Sequence, residues 1–312
     1  MKHNILTWNV RGLNSLDKRL MVRNLMRLWR VDIVCLQETK LEFISRILIR
    51  SLWGCAYVDW CYVTAVGASR GILLMWDRRV VTRLEMEVAD YVAACSFKNV
   101  DDGYEWVFAG VYGPNGDSDR YFLWDELAGL MSWWNFPWCN GGDFNVTRFP
   151  SERFGGRRIR PAMSEFSDFI FERGLTNLPL TRGLCTWSNS QSWSRIDRFL
   201  VSLEWEVRHL DLLQKRLLCL CSDHFPIILV SGGRKGGRKP FKFENMWLKE
   251  EGFVDRVRGW WAAYQFQGTP SFVLSKKLRA LNSLRGIQGL EQECLWKHWS
   301  ACQGKGGRVE ET

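Results

Sequence analysis

Short apolar runs that each end abruptly in a polar or acidic residue recur in order along this chain, and nothing else in it constrains the fold so tightly. Ile5-Leu6-Thr7-Trp8 runs into Asn9, Ile33-Val34-Cys35-Leu36-Gln37 into Glu38, and Val107-Phe108-Ala109-Gly110-Val111 into Tyr112. Trp138-Cys139-Asn140-Gly141-Gly142 leads into Asp143-Phe144-Asn145, while Ser194-Arg195-Ile196-Asp197 and Ser222-Asp223-His224-Phe225-Pro226 adjoin further strand-like runs. Short apolar runs bounded by turn residues read as buried strands. Strand ends are rigid platforms, so residues distant in sequence can converge on one cleft. Singly, each has a commonplace reading: Gly-Asp-x-Asn is a frequent loop, Asn9 and Tyr112 suit turns or surface, Glu38 a helix start, Asp197 a surface charge, His224 a satisfied structural histidine. Their recurrence in order is what points to a site.

Between these runs the pattern alternates. Asn14-Ser15 caps a helix whose apolar face is read as Leu16, Leu20, Leu25 and Leu28, with Lys18, Arg19, Arg23, Arg27 and Arg30 opposite. Residues 71–76, 80–88, 91–98 and 104–112 read as a meander of strands, with Asp101-Asp102-Gly103 as a turn. Helices are expected over 118–134 and over 161–173, the second with Pro161 in its first turn and Gly174 at its end. Strands are expected again at 137–141, 184–188, 194–201, 216–221 and 225–230. Strands in both halves with helices after some of them predict two mixed sheets packed face to face with helices outside, a four-layer α/β sandwich.

At 312 residues and 46% hydrophobic content the chain can bury one full core and carry an appendage. The expected division is a domain over 1–231, a basic glycine-rich linker over 232–240, and a helical or partly disordered extension over 241–312. The extension carries stripes of Phe253, Val257, Trp260, Trp261 and Tyr264, then Leu274, Leu278 and Leu281. Of the net charge of +9, residues 232–312 supply +7, from 15 Lys+Arg against 8 Asp+Glu. That imbalance points to nucleic acid contacted through the tail, with local help from Arg153, Arg157, Arg158 and Arg160; the bland alternative is a merely solvated tail. Ten cysteines without paired metal spacing suggest reduced thiols, and no apolar span could cross a bilayer.

The ordered set Trp8-Asn9-Val10-Arg11-Gly12-Leu13-Asn14, Leu36-Gln37-Glu38-Thr39-Lys40, Val111-Tyr112-Gly113-Pro114-Asn115, Gly142-Asp143-Phe144-Asn145, Thr186-Trp187-Ser188-Asn189, Ser194 to Leu200 and Ser222-Asp223-His224-Phe225-Pro226 resembles the endonuclease/exonuclease/phosphatase superfamily. Within it, the wording is similar to the apurinic-type endonuclease domain of plant LINE-type (non-LTR) retrotransposons. The segment Pro240 to Trp247 is similar to the stretch that joins that domain to the reverse transcriptase in those elements; the Tyr-x-Asp-Asp box of such a polymerase does not occur before Thr312.

The resemblance implies a Mg²⁺-dependent DNA endonuclease, with Mn²⁺ as a substitute, that nicks one strand and leaves a 3′-OH to prime reverse transcription. It implies Glu38 and Asn9 as metal ligands, with Asp223 as ligand of a second metal, Asp143 as activator of water, and Asn145 as orienter of that water or of the phosphate. His224, held by Asp197, would donate to the phosphate or act as base; Tyr112 would contact the phosphate, and Asp223 could instead assist the leaving group. Arg11, Lys40, Thr186, Arg157 and Arg158 are expected nucleic-acid contacts. The expected partners are DNA and, through the tail, element RNA, for a monomeric protein that is nuclear if functional, otherwise cytoplasmic, and not secreted. An abasic-site repair enzyme, a small-molecule phosphatase, or an inactive remnant that only binds nucleic acid are the alternatives.

Overall fold

The computed structural model describes residues 3–66, 69–209, 212–218, 221–231 and 253–267, with 270, 273, 274 and 277 beyond them. The chain divides into two compact units, Met1–Lys235 and Gly236–Thr312. The first holds two mixed sheets. One has the order β10 (Leu180–Thr181), β14 (Leu213–Arg216), β15 (Ile227–Val230), β1 (Asn4–Asn9), β2 (Ile33–Gln37), β4 (Ser69–Asp77), β3 (Val58–Val66). The other has the order β5 (Val81–Val88), β6 (Val92–Asn99), β7 (Glu105–Tyr112), β8 (Trp138–Asp143), β13 (Asp197–Ser202), β9 (Leu175–Asn177). A two-stranded ribbon, β11 (Trp187–Ser188) with β12 (Trp193–Ser194), stands beside them.

Side-chain alternation along the strands builds the layers. Ile5, Ile33 and Cys35 face inward and share a core with Cys95, Phe97, Trp106, Phe108 and Phe199 of the opposite sheet. Their neighbours Leu6, Trp8, Val34 and Leu36 face outward, into a core with residues of α1 (Leu16–Trp29) and α2 (Arg46–Leu52). On the other sheet Val92, Ala94, Val107 and Ala109 face α3 (Arg120–Trp133) and α4 (Pro161–Glu172). Helix, sheet, sheet, helix is the four-layer sandwich expected. Pro161 opens α4, and Gly174, at φ 59°, comes just after its end.

Several local readings are corrected. In α1 the buried residues are Val22 and Met26, whereas Leu16, Leu20 and Leu28 are exposed. The helix carries apolar residues on two sides, and contact with the sheet selects the stripe through Val22 and Met26. Helices α2 and α5 (Leu203–Arg208) and strands β3, β9 and β10 were not anticipated. The strand expected at 184–188 shrinks to Trp187–Ser188, and that expected at 216–221 lies earlier, at Leu213–Arg216. In the second unit α6 covers Phe253–Ala263, and Leu274 is exposed; Leu278, Leu281 and the 232–240 linker lie outside the described residues. Among the described residues no helix is long and apolar enough to cross a membrane, and seven cysteines are free.

Candidate active site

Each sheet has a parallel pair at its heart, β1 with β2 and β7 with β8. The ends of these four strands carry Asn9, Glu38, Tyr112 and Asp143. Asn9 Nδ2 donates to Asp143 Oδ2 at 3.0 Å and the Tyr112 hydroxyl reaches Glu38 Oε2 at 3.5 Å, so the two sheets meet through site residues. Strand β13 adds the next group by register: Asp197 is the direct antiparallel partner of Asp143. Two carboxylates are thereby set side by side in a dry place, both essentially without solvent exposure.

Glycine makes this approach feasible. A Cβ on Gly142 would collide with the backbone of Val111, and one on Gly113 would come within 2.6 Å of the Phe144 carbonyl. Backbone strain gathers at the same place: Arg11, Glu38, Lys40 and Asn145 all have left-handed φ, between 52° and 56°. Such conformations cost free energy and persist where neighbours over-determine them. Here the loops after β1 and β2 are zipped together, Gly12 N–H to the Glu38 carbonyl at 2.7 Å and Leu13 N–H to that of Thr39 at 2.9 Å.

His224 lies between the acids. Its Nδ1 is 3.2 and 3.1 Å from the two Asp197 oxygens and 3.7 Å from Asp143 Oδ2. Burial opposes charge on the imidazole, yet the Asp197 and Asp143 charges and the hydrogen bond to Asp197 outweigh it and raise His224 to about 9. Burial and then the Asp197 charge raise Asp143 to about 6, against the pull of His224 and hydrogen bonds from Asn9 and the Asn145 N–H. The charged form of the imidazole is thereby favoured at neutral pH.

Glu38 is contacted by Arg11 Nη1 and Lys40 Nζ, each at 3.2 Å, besides Tyr112. Arg11 also grips Asp223 through two hydrogen bonds, Nε to Oδ1 at 2.9 Å and Nη2 to Oδ2 at 3.0 Å. Burial would raise Asp223, but the bonds from Arg11 and Trp187 hold it below the usual carboxylate range. Burial and the Glu38 and Asp143 charges push the Tyr112 phenol up, so it stays a neutral donor. Asn145 donates Nδ2 to the Gly113 carbonyl at 2.7 Å, and Arg120 Nη2 donates to the Asn145 carbonyl at 2.7 Å.

The structure therefore gathers Asn9, Arg11, Glu38, Lys40, Tyr112, Asp143, Asn145, Asp197, Asp223 and His224. Arg11 and Lys40, expected to position phosphate, both contact Glu38 here. Thr186, an expected nucleic-acid contact, is fully buried, and its hydroxyl accepts the N–H groups of Ile196 at 3.0 Å and Asp197 at 2.9 Å. It braces Asp197. Arg157 and Arg158 are exposed in the segment before α4. Sequence reasoning gave no site role to Trp187, whose Nε1 donates to Asp223 Oδ2 at 2.8 Å, or to Ser222, whose hydroxyl donates to the Asn9 carbonyl at 2.8 Å. The adjacency of Trp187 to Thr186 and of Ser222 to Asp223 was the available signal.

Asp143, Asp197 and His224 offer ligand atoms within 4.8 Å of one another, a geometry that could hold a metal ion, although His224 Nδ1 is already bonded to Asp197. Glu38 and Asn9 offer a second, all-oxygen possibility. Glu38 attracts cations from two sides, and carboxylate with carboxamide oxygen suits a hard divalent ion. Arg11 and Trp187 occupy both oxygens of Asp223, and Glu38 and Asn9 are likewise engaged, by Arg11, Lys40 and Tyr112 and by the Arg11 N–H, so a bound ion would replace these contacts.

Residues 6–224 match the model of the endonuclease/exonuclease/phosphatase family, and the chain belongs to that family of hydrolytic nucleases and phosphatases. Among curated protein sequences none matches the chain. Solved structures with the same fold include an AP endonuclease from Leishmania major, 16% identical, TM-score 0.59, over 74% of this chain and 87% of that one. The endonuclease domain of TRAS1, a telomere-specific non-LTR retrotransposon, aligns at 14% identity and TM-score 0.56 over 74% of this chain and 98% of its own. A mannosyl-6-phosphatase from Bacteroides thetaiotaomicron aligns at 17% identity and TM-score 0.52, over 73% and 98%.

Proposed function

We propose that this chain is a Mg²⁺-dependent DNA endonuclease of a LINE-type retrotransposon, which nicks one strand by attack of water on a phosphodiester and leaves a 3′-OH. The observation that carries the reading is the register pairing of Asp143 with Asp197 around His224. Hydrolysis of a phosphodiester needs a base for water, positive charge for the phosphate, and help for the leaving oxygen. Asp143, near 6, is ionised at neutral pH yet basic enough to take a proton from water. His224, near 9, keeps its protons and donates to phosphate oxygens, which favours the donor role over that of base. Asp197 holds the imidazole and is itself held by Thr186.

Glu38, with Asn9 beside it, would hold the divalent cation, Mg²⁺ or Mn²⁺ in its place; bound there, it neutralises phosphate charge. Tyr112, kept protonated, donates to the phosphate or leaving oxygen, and Asn145 orients water or phosphate. The basic segment with Arg157 and Arg158 and the +7 tail would track the DNA backbone, and the tail could also take element RNA. The wording around Asn9 and Thr186, and the tail charge, favour this reading over a phosphatase of small esters. Plasmid DNA and small phosphate esters, including inositol and sugar phosphates, offered side by side with Mg²⁺ separate the two. Nicked circles without phosphate release are expected; phosphate release without nicking would overturn the reading.

A further inference from the structure

Arg11 stands in the middle of the candidate site but is directed at protein. It spans the gap between two carboxylates from different strand ends, Glu38 after β2 and Asp223 before β15. Nη1 lies 3.2 Å from Glu38 Oε2, while Nε and Nη2 form a two-pronged bond to Asp223 at 2.9 and 3.0 Å. The backbone fixes this pose. Arg11 has φ 53°, its N–H donates to Asn9 Oδ1 at 3.1 Å, and its carbonyl accepts Lys18 Nζ at 3.2 Å. Trp187 Nε1 secures the far carboxylate at 2.8 Å.

We propose that Arg11 is a built-in cation occupying the place where a second divalent ion would bridge Glu38 and Asp223, so that this site takes one divalent ion and no more. The inference rests on Glu38 as the cation ligand of the proposed nuclease. Two carboxylates facing one gap are a common way of binding a hard dication, and here the gap already contains a positive charge matched to them in a forked geometry. A guanidinium does not deprotonate in proteins, so it cannot yield its place by losing charge. Arg11 therefore acts as a positioning residue: it fixes Asp223 and shares Glu38 with Lys40 and the Tyr112 hydroxyl, and the single ion would take Glu38 by displacing Lys40 from Oε1.

The test counts bound Mn²⁺ by the loss of the free-ion paramagnetic resonance signal, on the full chain without DNA, so that no turnover is needed. Wild type is expected to bind one Mn²⁺. Two neutral replacements, Arg11→Met and Arg11→Gln, both checked for folding by circular dichroism, are expected to bind two. Adding Asp223→Asn to Arg11→Met should return the count to one. Two ions on wild type, or one ion on folded Arg11 variants, would refute the inference and leave the metal-dependent reading standing. No ion on wild type would remove that reading and the inference with it.

Discussion

Replacing Asp197 by Asn removes a charge while keeping the shape of the side chain and an oxygen for the His224 Nδ1–H. In the wild type the gap between about 9 in the fold and the ordinary 6.5 corresponds to about 3 kcal/mol of stability. Because the folded value is raised, that contribution is complete below 6.5 and is lost as pH rises through about 9. Asp143 is also raised, to about 6, so its contribution is present at acid pH and is lost as pH climbs through about 6. Work above about pH 7 leaves His224 as the group that matters. Between about pH 7 and about pH 8.5 the wild type should lose about 2 kcal/mol of unfolding free energy from this source. With Asn at 197 the largest favourable charge is gone while burial still opposes the imidazolium, so the slope should nearly vanish and the variant should be less stable at the lower pH. Urea unfolding of both proteins at the two pH values measures it, and their difference cancels the cysteines and lysines they share. Equal slopes would mean that Asp197 does not hold His224 charged, and the assignment of donor and base would fall.

Asp143→Ala and His224→Ala should each lower nicking by about 10² to 10⁴ with DNA affinity little changed, since base and donor act on the reacting centre; a single-turnover assay with a binding control checks it. Thr186→Val should cost about 1–3 kcal/mol and impair nicking, because two buried N–H groups lose their acceptor, whereas Thr186→Ser should restore both. An unchanged melting temperature in Thr186→Val would deny the bracing role. Gly142→Ala should be severely destabilised, as its methyl meets the Val111 backbone, and a soluble variant with a wild-type melting temperature would contradict the packing of β7 on β8. A chain ending at Ser231 should bind DNA with a log–log salt slope smaller by roughly 0.9 for each phosphate that the tail no longer neutralises. An identical slope would make the +7 tail a bystander.

The strand ends were legible because burial on both faces writes an unbroken apolar run, and a polar residue after such a run marks where the sheet stops. Asn9, Glu38, Tyr112 and Asp143 were found this way, and register then brought Asp197 opposite Asp143. Helix faces were less legible: α1 offers Leu16, Leu20 and Leu28 on one side and Val22 and Met26 on another, and periodicity does not say which side meets a sheet. Strand β14, Leu213–Arg216, has no apolar run to announce it. Thr186 and Trp187 were seen but not understood, because a hydroxyl that accepts two N–H groups and an indole that holds Asp223 depend on partners 10 or more positions away. The inward turn of Arg11 and Lys40 was likewise hidden, since it arises from left-handed backbone at three non-glycine residues of adjoining loops, Arg11, Glu38 and Lys40.

The end chemistry of the nick tests the central claim most directly. Supercoiled plasmid is incubated with the full chain and Mg²⁺, the reaction is stopped with chelator, and the purified circles are offered to a DNA polymerase with labelled nucleotides. The account predicts nicked circles that the polymerase extends at once from a 3′-OH, and no nicking when chelator is present from the start. Nicking that persists in chelator, or ends that need phosphatase treatment before they can be extended, would contradict it.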